Sequence, residues 1–221
     1  VGFLGAKLAR TPLCVNGEHG VLHIEKNSQF FIQKVIARMF DSTLSVSEGL
    51  KKKLIRGLGL NAKNITVIPN GVDTDKFHGN YPTEGFRKEL NLKNGDFIVG
   101  VIATLKGQKN QQIVINAVSQ MKHHGLNIKL LLIGDGPDKK FLQVLVSKLG
   151  LTREVLFLGF RDDIPEFMSL IDVMVLSSIL DHEGMSNVIL EAMASKVPVI
   201  STGSVGSKEV IEDGKNGLFF Q

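Results

Sequence analysis

The chain is predicted to be α/β: a doubly wound parallel sheet over its back two-thirds, preceded by part of a second α/β domain. Three observations predict this. Short, nearly uninterrupted apolar runs such as Lys129-Leu130-Leu131-Leu132-Ile133 suit strands buried on both faces. These runs alternate with amphipathic stretches of helical length, the pattern of βαβ units. Turn formers such as Gly134-Asp135-Gly136-Pro137 close the runs.

Taken in order, residues 1–10 read as helical, 13–16 as a strand, 29–40 as a helix and 43–46 as a strand. Ser47 then caps a helix running through Leu58. These elements are too few to close a sheet of their own, and the chain starts with Val. Residues 1–72 are therefore read as the back part of an α/β domain whose front lies outside this sequence. Ile68-Pro69-Asn70-Gly71-Val72-Asp73, rich in turn formers, connects it to a second domain at 73–221. There, strand 97–103 is followed by helix 111–121, strand 129–133 by helix 139–149, and strand 155–158 by helix 163–169. Strand 173–176 leads to helix 186–195, strand 198–201 to a short helix at 208–211, and 217–220 is the last strand. Ligands of such sheets bind outside the carboxyl ends of the strands, so the loop 177–185 falls where a ligand is expected.

Composition narrows the class. The 221 residues are 43% hydrophobic and 22% charged, as in ordinary globular chains. No apolar run approaches the ~18 residues needed to span a bilayer. Cys14 is the only cysteine, so no internal disulfide forms and a reducing, cytoplasmic setting is expected. Cys14 itself reads as a small buried apolar residue. The net charge of +4 is uneven: residues 1–76 carry 11 Lys/Arg against 6 Asp/Glu, while 77–221 carry 15 against 16. A basic first third favours an anionic partner, including the inner face of a membrane in peripheral contact. The Lys51-Lys52-Lys53 run reads as a solvated helix face. No nucleic-acid partner is expected: Trp is absent, there is one Tyr, and aromatic and basic residues do not interleave.

The most telling stretch is Glu183-Gly184-Met185-Ser186-Asn187-Val188-Ile189-Leu190-Glu191. Ser186 suits an N-cap, its hydroxyl accepting from an amide one turn on. A helix start at this point offers amides and a positive dipole end to a phosphate. Along a helix, eight residues separate the two acids by roughly 12 Å. A hydrolytic carboxyl pair stands only about 5 to 9.5 Å apart, so two separate contacts to one extended ligand fit better than acid/base partnership. Surface charges in a loop and a helix are the plainer alternative. Lys109, in the loop after strand 97–103, either reaches a phosphate as a flexible point charge or is an ordinary surface lysine. Gly134-Asp135-Gly136-Pro137-Asp138-Lys139 begins as a dinucleotide fingerprint but has Lys at the third Gly, so it reads as a turn. Gly203-Ser204-Val205-Gly206-Ser207 does not match a nucleophile elbow. His19, His23 and Glu25 are spaced for metal only on a helix, which Gly17 and Gly20 oppose, so no metal site is expected.

Together these segments resemble the family-4, or group-1, retaining glycosyltransferases, whose GT-B architecture has two Rossmann-like domains. The Glu183-x7-Glu191 spacing looks like that family's signature. Val46-Ser47-Glu48-Gly49-Leu50, Val67-Ile68-Pro69-Asn70-Gly71-Val72-Asp73, Leu131-Leu132-Ile133-Gly134-Asp135-Gly136-Pro137 and Val155-Leu156-Phe157-Leu158-Gly159-Phe160 follow in family order, and 203–217 is similar to its closing Gly-rich stretch. The resemblance implies transfer of a sugar from a nucleotide-sugar, expected to be a UDP-sugar, to a carbohydrate or lipid-linked acceptor hydroxyl in polysaccharide or glycolipid synthesis. Configuration would be retained, with no cofactor and no metal. It further implies that Glu191 bonds the donor ribose and Glu183 the transferred sugar, while amides of Gly184, Met185, Ser186, Asn187 and Val188 hold the pyrophosphate and sugar. Lys109 would take the leaving diphosphate's charge, and His19 would contact the sugar from the first domain. No protein nucleophile is required.

The sequence departs from the family at Thr104, where an Arg usually accompanies the phosphate lysine, and at Ser207, which replaces a Gly. The family's N-terminal Gly-rich loop and a final helix after Gln221 have no counterpart here, so this stretch of chain alone is expected to be inactive. Two other readings stay open: a nucleotide-sugar epimerase or hydrolase on the same scaffold, and a non-catalytic module that binds nucleotide-sugars.

Overall fold

A computed structural model of the chain describes residues 5–6, 8–20, 27–179 and 184–220. The chain divides into two compact units that are not continuous in sequence. The first comprises Val1–Asn70, Leu180–Met185 and Ser204–Glu209, and the second Gly71–Ile179, Ser186–Gly203 and Val210–Gln221.

In the first unit, strands β1 (Val15–Glu18), β2 (Ser42–Ser45) and β3 (Ile65–Val67) form a parallel sheet in the order β1-β2-β3. Helix α1 (Asn27–Ala37) connects β1 to β2, and α2 (Glu48–Leu58) connects β2 to β3. Strand β1 begins two residues later than the sequence pattern suggests. Cys14 and Asp41 close a small ring ahead of the ladder: the Cys14 amide donates to Asp41 Oδ2 at 2.8 Å and the Asp41 amide to the Cys14 carbonyl at 3.0 Å. The ladder then starts with Val15 opposite Ser42, and Leu13 is left exposed. Cys14 is buried, as its composition suggests. Strand β3 escapes the sequence pattern because three residues are too few to show alternation. It makes this a three-stranded sheet, where too few strands for a sheet are expected from sequence. Of the helix expected over 1–10, residues 1–4 and 7 lie outside the described residues, while Gly5, Ala6 and Leu8 are helical.

Helix α2 shows how sequence sets local structure. Leu50, Leu54 and Leu58 recur every four residues on its buried face. Ser47 Oγ accepts from the Leu50 amide at 3.1 Å, and Gly59 closes the helix with φ +63°. The carboxylate of Glu209, far away in sequence, also accepts from the Glu48 and Gly49 amides at 3.1 and 2.6 Å. On the outer face Lys52 is exposed and Lys51 and Lys53 are half-buried.

The second unit is a six-stranded parallel sheet built from β4 (Phe97–Ile102), β5 (Ile128–Ile133), β6 (Val155–Gly159), β7 (Val173–Leu176), β8 (Val199–Thr202) and β9 (Leu218–Phe220), in the order β6-β5-β4-β7-β8-β9. The crossovers carry helices α4 (Gln111–His123), α5 (Lys139–Lys148), α6 (Ile164–Leu170) and α7 (Asn187–Ala194). A short helix α3 (Glu84–Glu89) precedes the sheet; it buries no residue and so leaves no apolar period to read. The runs of β4 to β8 are apolar because each of these strands feeds two cores. Ile98, Leu131, Ile133, Met174, Leu176 and Val199 pack with Phe167 and Ile189 on one face. Val99, Val101, Leu130, Leu132 and Val173 pack with Ile115, Val118 and Leu142 on the other. The short helix expected at 208–211 is a single 3-10 turn, Ser207–Glu209.

Candidate functional site

Strand order in the second unit reverses beside β4: the chain moves outward through β5 and β6, then returns to β7 on the other side of β4. The loops leaving β4 and β7 therefore diverge to opposite faces, and the space outside their carboxyl ends is where such sheets take ligands. Within this unit Thr104 and Lys109 follow β4, and Ser186, Asn187 and Val188 open the helix after β7, so topology brings these predicted residues to the carboxyl edge of one sheet.

Hydrogen bonds fix the loop after β4 from both sides. The Leu105 amide donates to the Asp135 carbonyl at 3.0 Å and the Asp138 amide to the Leu105 carbonyl at 3.0 Å, seating the loop on the turn that follows β5. Gly134 in that turn has φ +132°, and a Cβ there would lie 2.2 Å from the Ala103 carbonyl oxygen. The segment 134–139 is thus a turn that supports the neighbouring loop, as its missing third glycine indicates. On the other side, Ser177 Oγ donates to the Lys109 carbonyl at 2.7 Å and the Ile179 amide to the Gln108 carbonyl at 2.9 Å. Gln111 Nε2 donates to the Thr104 carbonyl at 2.9 Å. Thr104 itself is exposed.

Lys109 ends the 3-10 turn Gly107–Lys109 and is half-buried. Burial holds its ammonium below the ordinary lysine value, and the nearby charge of Lys106 acts in the same direction. Glu191, on the second turn of α7, is also half-buried; burial raises its carboxyl above the ordinary range, and Lys76 opposes that rise.

The start of α7 departs from expectation in one respect. Ser186 is the N-cap, with extended backbone (φ −89°, ψ 117°), but its hydroxyl makes no capping bond. The favourable cap geometry is present without the side-chain bond, so the hydroxyl is not committed to the helix it precedes. Asn187 is exposed, while Val188 turns inward against the core. Met185, in the first unit, is buried. Asn70 Nδ2 donates to the Met185 carbonyl at 3.4 Å. Gly184 is buried, and a Cβ there would come within 2.6 Å of the His19 carbonyl oxygen. His19 directly follows β1 and is exposed at the carboxyl end of that strand. Glu183 lies outside the described residues, as do His23 and Glu25. Among the described residues no cluster of three metal-ligating side chains occurs.

Sequence reasoning missed Ser177, Gln111 and Lys76. The signal for Ser177 is the Ser177-Ser178 pair directly after an apolar strand, a polar break at the ligand edge of a parallel sheet.

Comparison with known proteins identifies the family and the fold. The model for Glycosyltransferase Family 4 matches residues 1–76, and that for Glycosyl transferases group 1 matches residues 82–221. EpsD of Bacillus subtilis (strain 168), whose name assigns it provisionally to the glycosyltransferases, is 32% identical over 195 residues, covering 86% of this chain and 50% of EpsD. The UDP-Gal:alpha-D-GlcNAc-diphosphoundecaprenol alpha-1,3-galactosyltransferase of Escherichia coli is 28% identical over 236 residues, covering 100% of this chain and 59% of that enzyme. The crystal structure of Anabaena HepE in complex with UDP-glucose superposes with a TM-score of 0.88 at 29% identity, over 100% of this chain and 61% of HepE. The chain thus spans about half the length of the curated relatives it matches. The α/β fold with parallel sheets is the one found in GT-B glycosyltransferases, as the motifs imply. With a family model covering most of its length, the chain belongs to the group 1 glycosyl transferases.

Proposed function

We propose that the whole protein is a retaining hexosyltransferase, moving a sugar from a UDP-sugar to a hydroxyl of a carbohydrate or lipid-linked acceptor in polysaccharide or glycolipid synthesis. The observation that carries this is the tie between the β4 and β7 loops, in which Ser177 and Ile179 hold the Lys109 turn at the carboxyl edge of the sheet. A cation and a helix start at one sheet edge suit a diphosphate. The donor class is supported by HepE, whose structure was determined with UDP-glucose bound.

In this reading the acceptor oxygen attacks the anomeric carbon on the face that the diphosphate leaves. The bond from that carbon to the phosphate oxygen breaks, and the acceptor proton passes to the departing phosphate. Lys109 offsets the charge that grows on the diphosphate, amides of Gly184 to Val188 hold it, Glu191 bonds the ribose, and Glu183 and His19 contact the sugar. Thr104 lines the donor side as a neutral group, which leaves Lys109 the principal cation there. The reaction then needs neither metal nor cofactor. Both Lys109 and Glu191 are charged groups held partly out of water, which disfavours folding and is retained where chemistry needs it. No helix among the described residues is long and apolar enough to cross a membrane. The basic first third supports a cytoplasmic site of action with peripheral contact at the inner membrane face.

The test is kinetic. Glu191→Ala and Lys109→Ala in the whole protein are each expected to lower kcat/KM for the nucleotide-sugar at least tenfold, about 1.4 kcal/mol of transition-state binding. Wild-type kinetics in both variants overturns the site.

A further inference from the structure

In the second unit a group of deeply buried polar side chains gathers under the ligand edge. Gln111, Ser177, Ser178 and Ser201 are 2%, 2%, 0% and 0% exposed. A buried hydroxyl or amide left unbonded costs about 1–3 kcal/mol, so its partners matter. Two of these side chains bond the backbone of one segment, the loop that carries Lys109. Ser177 Oγ donates to the Lys109 carbonyl at 2.7 Å, and Gln111 Nε2 donates to the Thr104 carbonyl at 2.9 Å. The Ile179 amide adds a bond to the Gln108 carbonyl at 2.9 Å. The clamp is itself anchored, because Thr202 Oγ1 on β8 donates to the Ser178 carbonyl at 2.6 Å. The loops after β4 and β7 and the end of β8 are thereby joined into one hydrogen-bonded ledge.

We propose that Ser177 is a positioning residue for sugar transfer: its hydroxyl fixes the Lys109 peptide, and through it the place from which the lysine ammonium meets the leaving diphosphate. The proposal rests on the reading of Lys109 given above. A lysine has a long flexible stem, so its charge is delivered accurately only if its backbone is fixed. Preorganised charge is effective because no reorientation is needed as the transition state forms. Ser177 is too deeply buried to serve as a surface contact, and its bond crosses 68 residues of sequence to reach the one cation assigned to the diphosphate.

The experiment is a double-mutant cycle in the whole protein, with kcat and KM measured for whichever of UDP-, GDP- and ADP-glucose the wild type turns over fastest. Ser177→Ala is expected to lower kcat about tenfold with donor KM within twofold of wild type, and Ser177→Thr, which keeps the hydroxyl, to restore the rate. In a Lys109→Ala background the same Ser177→Ala change is expected to alter kcat less than twofold, because the group it positions is gone. Equal losses in both backgrounds, or a wild-type rate in Ser177→Ala, overturn the proposal while leaving Lys109 in place. Wild-type kinetics in Lys109→Ala, or turnover of none of the donors, overturns the underlying reading and this one with it. Ser177→Cys, nearly isosteric with a weak donor, is read by the same criteria if the alanine variant does not fold.

Discussion

Replacing Gly134 by Ala probes how the ligand edge is supported. A Cβ at this position would lie 2.2 Å from the Ala103 carbonyl oxygen and 2.9 Å from its carbon, where ordinary contact begins at 3.4 Å. The backbone at Ala103 and Thr104 must therefore retreat by about 1 Å. That movement strains the Ala103 amide's bond to the Ile133 carbonyl and the Leu105 amide's bond to the Asp135 carbonyl, both 3.0 Å. Each is worth about 1 kcal/mol. The φ of +132° adds about 1–3 kcal/mol for any side-chain-bearing residue. The expected destabilisation is about 3 kcal/mol, or a fall in melting temperature of roughly 6–12 °C for a unit of this size. Urea and thermal unfolding of the variant and the wild type measure it. In the whole protein the displaced Thr104 segment should also raise the KM for donor. A loss below about 1 kcal/mol would show that the loop after β4 moves freely, and the argument that the glycine is needed to seat it fails.

Two further expectations concern charge. Burial raises the Glu191 carboxyl, so the folded state binds its proton more tightly than the unfolded chain. Its contribution to stability is full below the unfolded value of 4.5 and is lost as pH rises through the higher folded value. Glu191→Gln should therefore melt above wild type at pH 7, with the gap closing as pH falls toward 4.5; a gap independent of pH refutes the burial argument. In the first unit, Glu209→Ala removes the carboxylate that accepts from two amides at the start of α2, and should cost about 1 kcal/mol in urea denaturation. No change in midpoint would mean that water replaces that carboxylate fully.

Much of the fold is legible in the amino-acid order because β4 to β8 are buried on both faces. A strand such as β5, with Leu130 and Leu132 toward one core and Leu131 and Ile133 toward the other, reads as a continuous apolar run. Helix α2 is legible for a similar reason, with its leucines, its Ser47 cap and its Gly59 stop all local. Helix α3 and strand β3 are not, since neither has the length or burial that leaves a period. The candidate site divides in the same way. Lys109, Ser186 and Glu191 are expected from their places relative to strands and helix starts, whereas Ser177 is marked only by a polar break after an apolar strand and its partner lies 68 residues away.

Local structure encoded within a few residues was therefore legible from order alone: strands β4 to β8, helix α2 with its cap and stop, and the helix start at Ser186. Which loops share an edge, and what holds them, followed only from closure of the sheet. The strand order placed β7 against β4 after two intervening strands, and that brought the Ser177 hydroxyl to the Lys109 carbonyl. Folding also made Lys109 and Glu191 unusual, because a side chain's ionisation depends on the solvent removed from around it, and no neighbour in sequence determines that.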